Sequence, residues 1–348
     1  MGSRHAVPGI SFAIAAFSGL MSHAALAQGA GELVLYYSVQ EEWCRPMVQG
    51  FERATGIKVS MTRKSSGETY AQIKAEAANP RGDVWWGGTG DPHLQAAEEG
   101  LSEPYKSAKL SELLPSAVQQ AEQSKFRTVG IYAGALGFSF NKELLAKKKL
   151  PEPKCWADLA KPIYKDEIQV ADPNSSGTAY TMLATFVQLW GEDKAFEFQK
   201  AMHKNINQYT KSGAAPSRAA ATGETLIGIT FLHDEVQQAV IGAPLQIVAP
   251  CEGTGYEVGS MSINKGAKNM DNAKKWYDWA LTPEAQKIAI AAKSYQVPSN
   301  RNSEVPPESP KLDQIKLINY DFAKYGSSAE RTRLLKKWDA EVRNAPRN

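Results

Sequence analysis

The sequence predicts an α/β chain folded as two lobes with a cleft between them, and three observations carry that prediction. With 348 residues, 43% of them hydrophobic, the chain is long enough for two cores, since a domain typically takes roughly 100–200 residues. Residues 32–86 alternate strand-like and helix-like segments three times, the pattern of a parallel sheet with helical crossovers. Residues 132–141 (YAGALGFSFN) are a long extended run with small residues inside it, as expected of a strand that passes from one lobe to the other.

Taken in order, residues 1–27 read as a cleavable export signal. Arg4 supplies the positive start, Ile10 to Leu20 the short apolar run, and Ala25-Leu26-Ala27 the small-residue cleavage site before Gln28. The apolar run is shorter than the roughly 20 residues of a bilayer-spanning helix, which argues against a retained anchor. Residues 32–39 (ELVLYYSV) form a continuous apolar run of the buried-strand type. Residues 41–55 follow with helical spacing through Met47, Phe51 and Ala54, and Gly56 is the stop. A second strand is predicted at 57–62, a helix at 69–78 ended by Asn79-Pro80, and a third strand at 83–86 (DVWW).

Beyond the crossing strand, 142–150 reads as a charged helix and 152–163 as a proline-punctuated entry into the second lobe. A strand at 168–171, a long helix at 178–190 opening on Ser-Ser-Gly-Thr and a strand at 225–232 (TLIGITFL) follow. Residues 245–248 and 255–263 form the return leg, 298–310 is linker-like, and the tail from Leu312 is helical and charged. The predicted lobes are therefore 28–133 plus 250–298, and 134–249 plus 299–348 with the C-terminal helices.

Lys and Arg outnumber Asp and Glu by only 40 to 37, with no basic run, so nothing in the charge points to nucleic acid. In an oxidising compartment Cys44, Cys155 and Cys251 allow one disulfide in any of three pairings. Cys155 and Cys251 both lie near predicted crossover segments, which favours that pair; three buried thiols are the alternative.

Ligands of open α/β sheets sit at the carboxyl ends of the strands, on the loops that lead into helices. The polar residues gather in such places, at Tyr37-Ser38, Ser65-Ser66-Gly67, Gly88-Thr89-Gly90-Asp91, Asn174-Ser175-Ser176-Gly177-Thr178 and Thr210-Lys211-Ser212-Gly213. Hydroxyls and free N–H groups at helix N-termini suit a cluster of anionic oxygens. Taken singly, each reads sooner as an ordinary N-cap; five such loops converging on one cleft favour anion binding. His233 and Asp234 close the strand at 225–232, where neighbours face opposite sides and are badly placed to pass a proton between them. They suit separate hydroxyls of a polyol, against the alternative of a capping Asp beside a core His. Glu252 and Glu257, in Cys-Glu-Gly-Thr-Gly-Tyr-Glu, are candidate sugar-hydroxyl acceptors that spacing alone does not separate.

Other chemistries lack their motifs. Gly253-Thr254-Gly255 has its next glycine one residue too far for a dinucleotide loop, and neither a phosphate-binding lysine loop nor a nucleophile elbow is present. His93, His203 and His233 have no zinc-ligand spacing. His93, at a predicted helix start, reads as structural. No nucleophile–base pair stands out, so no enzyme, metal or cofactor is expected.

The segments DVWWGGTGDP, ADPNSSGTAYTMLATF, QYTKSG, GITFLHD and PCEGTGYE resemble the periplasmic substrate-binding proteins of ABC importers. Within that superfamily they look most like the hexose-phosphate-binding branch of the ferric-binding-protein-like group. The resemblance covers essentially the whole mature chain. It implies a type II fold, in which each lobe is a central sheet flanked by helices and a hinge joins the two. The expected ligand is a phosphorylated hexose, such as glucose 6-phosphate or fructose 6-phosphate, and the expected partners are an ABC permease and its ATPase, with the protein itself a monomer. Phosphate contacts fall on Ser38, Ser66, Thr89, Ser175, Ser176, Gly177 and Thr178, and sugar contacts on His233, Asp234 and Glu257. In this branch the first strand often carries Cys before the Ser, where this chain has Tyr37, a change expected to alter pocket volume. Ferric-binding relatives hold iron with a tyrosine pair after a second-lobe strand, where this chain has Phe231-Leu232-His233-Asp234. The rival readings are a ferric, phosphonate or phosphate carrier of the same fold, and a secreted phosphohydrolase.

Overall fold

A single mixed sheet runs the length of the molecule and is shared by two hydrophobic cores. The structure is a computed structural model that describes residues 1–3 and 31–347, so nearly all of the expected export signal lies outside the described residues. The first part runs β1 (Glu32–Tyr37), α1 (Glu41–Thr55), β2 (Lys58–Arg63), α2 (Ser66–Ala75), β3 (Val84–Trp86), α3 (Gly90–Glu98), β4 (Ser102–Glu103) and α4 (Pro115–Gln123). Next come β5 (Val129–Asn141), α5 (Lys142–Lys148), β6 (Ile168–Ala171), α6 (Gly177–Trp190), α7 (Glu192–His203), β7 (Ile206–Thr210), α8 (Ala215–Thr222), β8 (Ile227–Phe231), α9 (Leu232–Val240) and β9 (Leu245–Val248). The chain ends with β10 (Tyr256–Asn264), α10 (Met270–Ala280), α11 (Pro283–Ala291), β11 (Val297–Pro298), α12 (Phe322–Tyr325) and α13 (Ser328–Trp338).

Strand order is β2-β1-β3-β10-β5-β8-β6-β7. β1 lies parallel to β2 and β3, as the alternating pattern of the first sixty mature residues predicts. β5 is the crossing strand: its first half pairs with β10 and its second half with β8 and β9. The small residues inside it have a packing reason. A Cβ on Gly137 would lie 2.2 Å from Leu232 Cδ2, and one on Gly134 would lie 2.4 Å from His233 Nδ1, so α9 rests directly on this strand.

Local chemistry accounts for most boundaries. α1 opens with Glu41 and Glu42 at the positive end of its dipole and closes on Gly56 in the left-handed region, φ 74°. α2 starts three residues before the predicted position because Ser65 and Glu68 form a capping box, with Glu68 Oε2 accepting from Ser65 N at 3.2 Å. The short strand β7, with the sequence INQYT, lacks the apolar run that marks the other inner strands.

The first core gathers Leu35, Phe51, Trp86 and Met261, and the second Phe138, Ile168, Phe186 and Trp338. The chain stays with the first core slightly beyond residue 298, because Asn300 Nδ2 donates to Leu281 O at 2.8 Å and Arg301 Nη2 to Leu113 O at 2.9 Å. Tyr320, Tyr325 and Leu334 then join the second core. Cys155 and Cys251 are disulfide-bonded, and Cys44 is a buried free thiol.

Candidate functional site

Between the lobes lies a polar cavity lined from both sides, by Ser38, Ser66 and Thr89 on one and by Ser176, His233 and Asp234 on the other. Six strands, β1, β2, β3, β6, β7 and β8, each end at its wall and lead into α1, α2, α3, α6, α8 and α9. Helix geometry leaves the first N–H groups of each helix without intrahelical partners, and the dipoles add partial positive charge there. Their convergence makes this part of the cavity attractive to an anion.

Ser38, Ser66, Thr89, Ser176 and Thr178 line the cavity. Ser66 Oγ accepts from Thr89 N at 3.3 Å. Ser38 Oγ accepts from Trp85 Nε1 at 3.0 Å and pairs with Thr69 Oγ1 at 3.0 Å. Ser176 caps α6, with its Oγ accepting from Ala179 N. Gly177 brings that helix against the opposite lobe, since a Cβ there would lie 1.8 Å from Thr89 Oγ1, and a Cβ on Gly213 would lie 2.1 Å from Thr178 Oγ1. Arg63 lines the same wall, donating from Nη2 to Ser212 Oγ of the second lobe at 3.1 Å and from Nε to Val39 O at 3.0 Å.

The other end is built by α9 and β10. His233 and Asp234 are not strand residues, as the sequence suggests. β8 stops at Phe231 and the helix begins at Leu232, so both sit in its first turn and both line the cavity. His233 Nε2 lies 3.9 Å from Asp234 Oδ1 and 3.8 Å from Glu257 Oε1. Asp234 Oδ2 accepts from Thr230 Oγ1 at 2.9 Å, and Oδ1 accepts from Gln40 of the first lobe. Burial pushes the Glu257 carboxyl well above the usual range, and the charge of Asp234 pushes it the same way. Burial holds the His233 imidazole below its ordinary value, with Asp234 opposing. A protonated carboxyl and a neutral imidazole each donate and accept hydrogen bonds, which is what sugar hydroxyls require. His233 Nδ1, Thr89 Oγ1 and Gln40 Oε1 are buried with no hydrogen-bond partner among the described residues, and buried polar atoms ordinarily have one.

Two sequence expectations are corrected. Ser175 does not line the cavity. Its Oγ donates to Asp172 O and Lys211 O, and its carbonyl accepts from Gly67 N at 2.9 Å across the lobes. Tyr37 does not shape the cavity either, because it points into the first core. The choice between glutamates is made by hydrogen bonding: Glu252 accepts from Trp156 N and Ala157 N at 2.8 Å each, and only Glu257 reaches the cavity.

Sequence reasoning missed Gln40, Arg63 and Tyr132. The first two carried a usable signal, since each sits at the carboxyl end of a strand. Tyr132, whose hydroxyl accepts from Gly88 N at 3.0 Å, carried none. Burial and the nearby Glu257 raise its pKa well above the ordinary value. His93 is structural, as read: it is stacked on Trp85 at 3.5 Å, and burial pushes its pKa down to about 3.

Residues 89–325 match the family of bacterial extracellular solute-binding proteins. The chain is 49% identical over 321 residues to an uncharacterized protein of Haemophilus influenzae, covering 92% of this chain and 93% of that one. It superposes with a TM-score of 0.88 on the periplasmic binding protein AfuA from Actinobacillus pleuropneumoniae with exogenous fructose-6-phosphate bound, at 49% identity over 90% of this chain and 99% of that one. The periplasmic binding protein P5PA gives a TM-score of 0.87 at 39% identity, with the same coverage of 90% and 99%. Two lobes, a crossing strand and a polar cavity at the strand ends thus meet an independent match in sequence and in fold, and the chain belongs to the bacterial extracellular solute-binding proteins, which bind a small ligand and catalyse no reaction.

Proposed function

We propose that this protein captures a phosphorylated hexose in the interlobe cavity and delivers it to an ABC permease and its ATPase, acting in the periplasm as a monomer exported by cleavage after Ala27. The observation that carries the reading is the two-ended chemistry of one cavity. Helix N-termini, hydroxyls and Arg63 converge in one part, while His233, Asp234 and Glu257 converge in another. In this reading Ser38, Ser66, Thr89, Ser176, Gly177 and Thr178 surround the phosphoryl group, and the three side chains of α9 and β10 take the sugar hydroxyls. Ser175 contributes by its carbonyl to closure instead of by its hydroxyl to the ligand. The fructose-6-phosphate bound to the Actinobacillus protein supports the same ligand class.

The test is the melting temperature of the mature protein against glucose 6-phosphate, fructose 6-phosphate, glucose, inorganic phosphate and ferric citrate. A ligand at about 100 times its Kd adds about 2.7 kcal/mol, a readily measured upward shift. Sugar phosphates are expected to give it, and glucose or phosphate alone to give much less. A shift with ferric citrate alone would overturn the reading, and release of inorganic phosphate from the sugar phosphates would show a phosphohydrolase.

Asp234→Ala removes a carboxylate that accepts from Gln40 and Thr230 at the cavity wall. It is expected to weaken sugar-phosphate binding by about 1.5–3 kcal/mol, the scale of a hydrogen bond to a charged group. Calorimetric titration checks this, and an unchanged Kd would remove Asp234 from the ligand's contacts.

A further inference from the structure

Arg331, in α13, lies outside the cavity and is 2% exposed. Its Nη1 donates to Gln95 Oε1 of α3 at 2.7 Å, while Nε and Nη2 have no hydrogen-bond partner among the described residues. Asp91, the carboxylate that acts on it through space, accepts from the Tyr320 hydroxyl at 3.2 Å. The guanidinium is held between two rings, 5.6 Å from the centre of Tyr70 in α2 and 4.9 Å from that of Tyr180 in α6. Tyr180 belongs to the second core, and Tyr70 packs with Tyr36 and Trp85 of the first lobe's strands. A single buried cation is therefore clasped by aromatic faces from both lobes, an attraction that strengthens when water is excluded.

Its position along those helices ties it to the anion end. α2, α3 and α6 begin at Ser66, Gly90 and Gly177, and the residues that touch Arg331 come three to five positions later. At 1.5 Å per residue this is roughly 5–8 Å, about one turn behind the three N-termini that present Ser66, Thr89 and Gly177 to the cavity. Burying a charge with most of its donors unpaired is costly, and Asp91, whose own Oδ1 is buried without a hydrogen-bond partner among the described residues, offsets only part of that cost through space. An apolar side chain of similar length would fill the space between the rings at less expense, so packing alone does not explain an arginine here.

We propose that Arg331 is a positioning residue for the anion end of the cavity: it aligns the N-termini of α2, α3 and α6 across the lobes and places a positive charge behind them, favouring a doubly charged phosphoryl group over a singly charged one. The proposal rests on the sugar-phosphate reading only for its choice of probe.

The experiment compares Kd for fructose 6-phosphate and fructose 6-sulfate, at one pH above 7.5 and fixed ionic strength, in the wild type, Arg331→Lys and Arg331→Met, with the melting temperature of each free protein. A unit charge about 10 Å away at an effective dielectric of about 20 is worth at most roughly tenfold per ligand charge, and Asp91, in the first turn of α3, offsets part of it. Arg331→Met is therefore expected to narrow the preference for phosphate over sulfate by roughly threefold, and Arg331→Lys to keep most of it. Equal loss for both ligands, or a lowered melting temperature with unchanged affinities, would overturn the proposal in favour of a packing role. Should Arg331→Met fail to fold, Tyr70→Leu removes one ring contact and is expected to narrow the same ratio by a smaller factor; an unchanged ratio there would equally overturn it. A wild type that ignores fructose 6-phosphate would refute the ligand reading instead, and the same variants measured with inorganic phosphate against sulfate then decide the role of Arg331.

Discussion

Gly67→Ala is expected to leave the free protein as stable as the wild type and to weaken ligand binding more than a hundredfold. Gly67 lies in the first turn of α2, where its N–H donates to the Ser175 carbonyl of the other lobe at 2.9 Å. A Cβ there would lie 2.3 Å from Asn174 O and 2.8 Å from Ser175 O. Both are backbone atoms, so no side chain can swing aside and the lobes must part. Within its own helix alanine is the better residue, and the lobe carrying it has no reason to lose stability. Overpacking of this kind costs about 1–3 kcal/mol, and because the contact joins the two lobes, a hinge opening between them is expected to relieve it. A ligand that needs the closed form loses affinity by the fraction of molecules still able to reach it, so about 3 kcal/mol becomes roughly 150-fold. Calorimetric Kd for fructose 6-phosphate, with the ligand-free melting temperature alongside, checks both halves. An unchanged Kd would mean that the bound form does not bring Gly67 against Ser175.

Removing the disulfide is expected to have the opposite signature. Cys155 and Cys251 are 96 residues apart and join the entry of the second lobe to its return leg. On the chain-entropy account, closing a loop of about 100 residues restricts the unfolded state by about 4.7 kcal/mol. The Cys155→Ser, Cys251→Ser double variant is expected to melt on the order of 10 °C lower. Neither cysteine lines the cavity, so the Kd of the folded fraction at 25 °C is expected to stay within about twofold, since an isolated change of stability does not alter contacts to ligand. Reduced wild type is expected to melt with the double variant. A fall of less than about 2 °C would show that this link does little for stability, and a large change in Kd would show that it shapes the cleft.

Much of this was legible in the chain itself, for identifiable reasons. The runs ELVLYY, VWW and IGITF are apolar enough to be strands in any setting, and Gly56 ends α1 wherever that helix packs. The hydroxyl and glycine clusters stand after those strands, and parallel topology alone turns that position into one wall. Where the reading slipped, a neighbour distant in sequence decided. His233 and Asp234 look like the end of an apolar strand, but the chain turns into α9 as soon as β8 has paired with β5, and the helix seats itself on Gly134 and Gly137. Ser175 looks like its neighbours Ser176 and Thr178, yet its carbonyl is taken by Gly67 from a segment more than a hundred residues earlier.

By itself, then, the sequence determined the alternation from β1 to β3, the crossing strand and most of the loop positions that face the cleft, because strand period, helix caps and breakers act over a few residues. Only the tertiary structure decided which of those positions share a cavity, that Gln40 and Arg63 reach across to Asp234 and Ser212, and that Arg331 lies buried between Tyr70 and Tyr180. These contacts join segments roughly 150–260 residues apart in the chain, and their distances are set by how two independently packed cores close on each other, which no local pattern records.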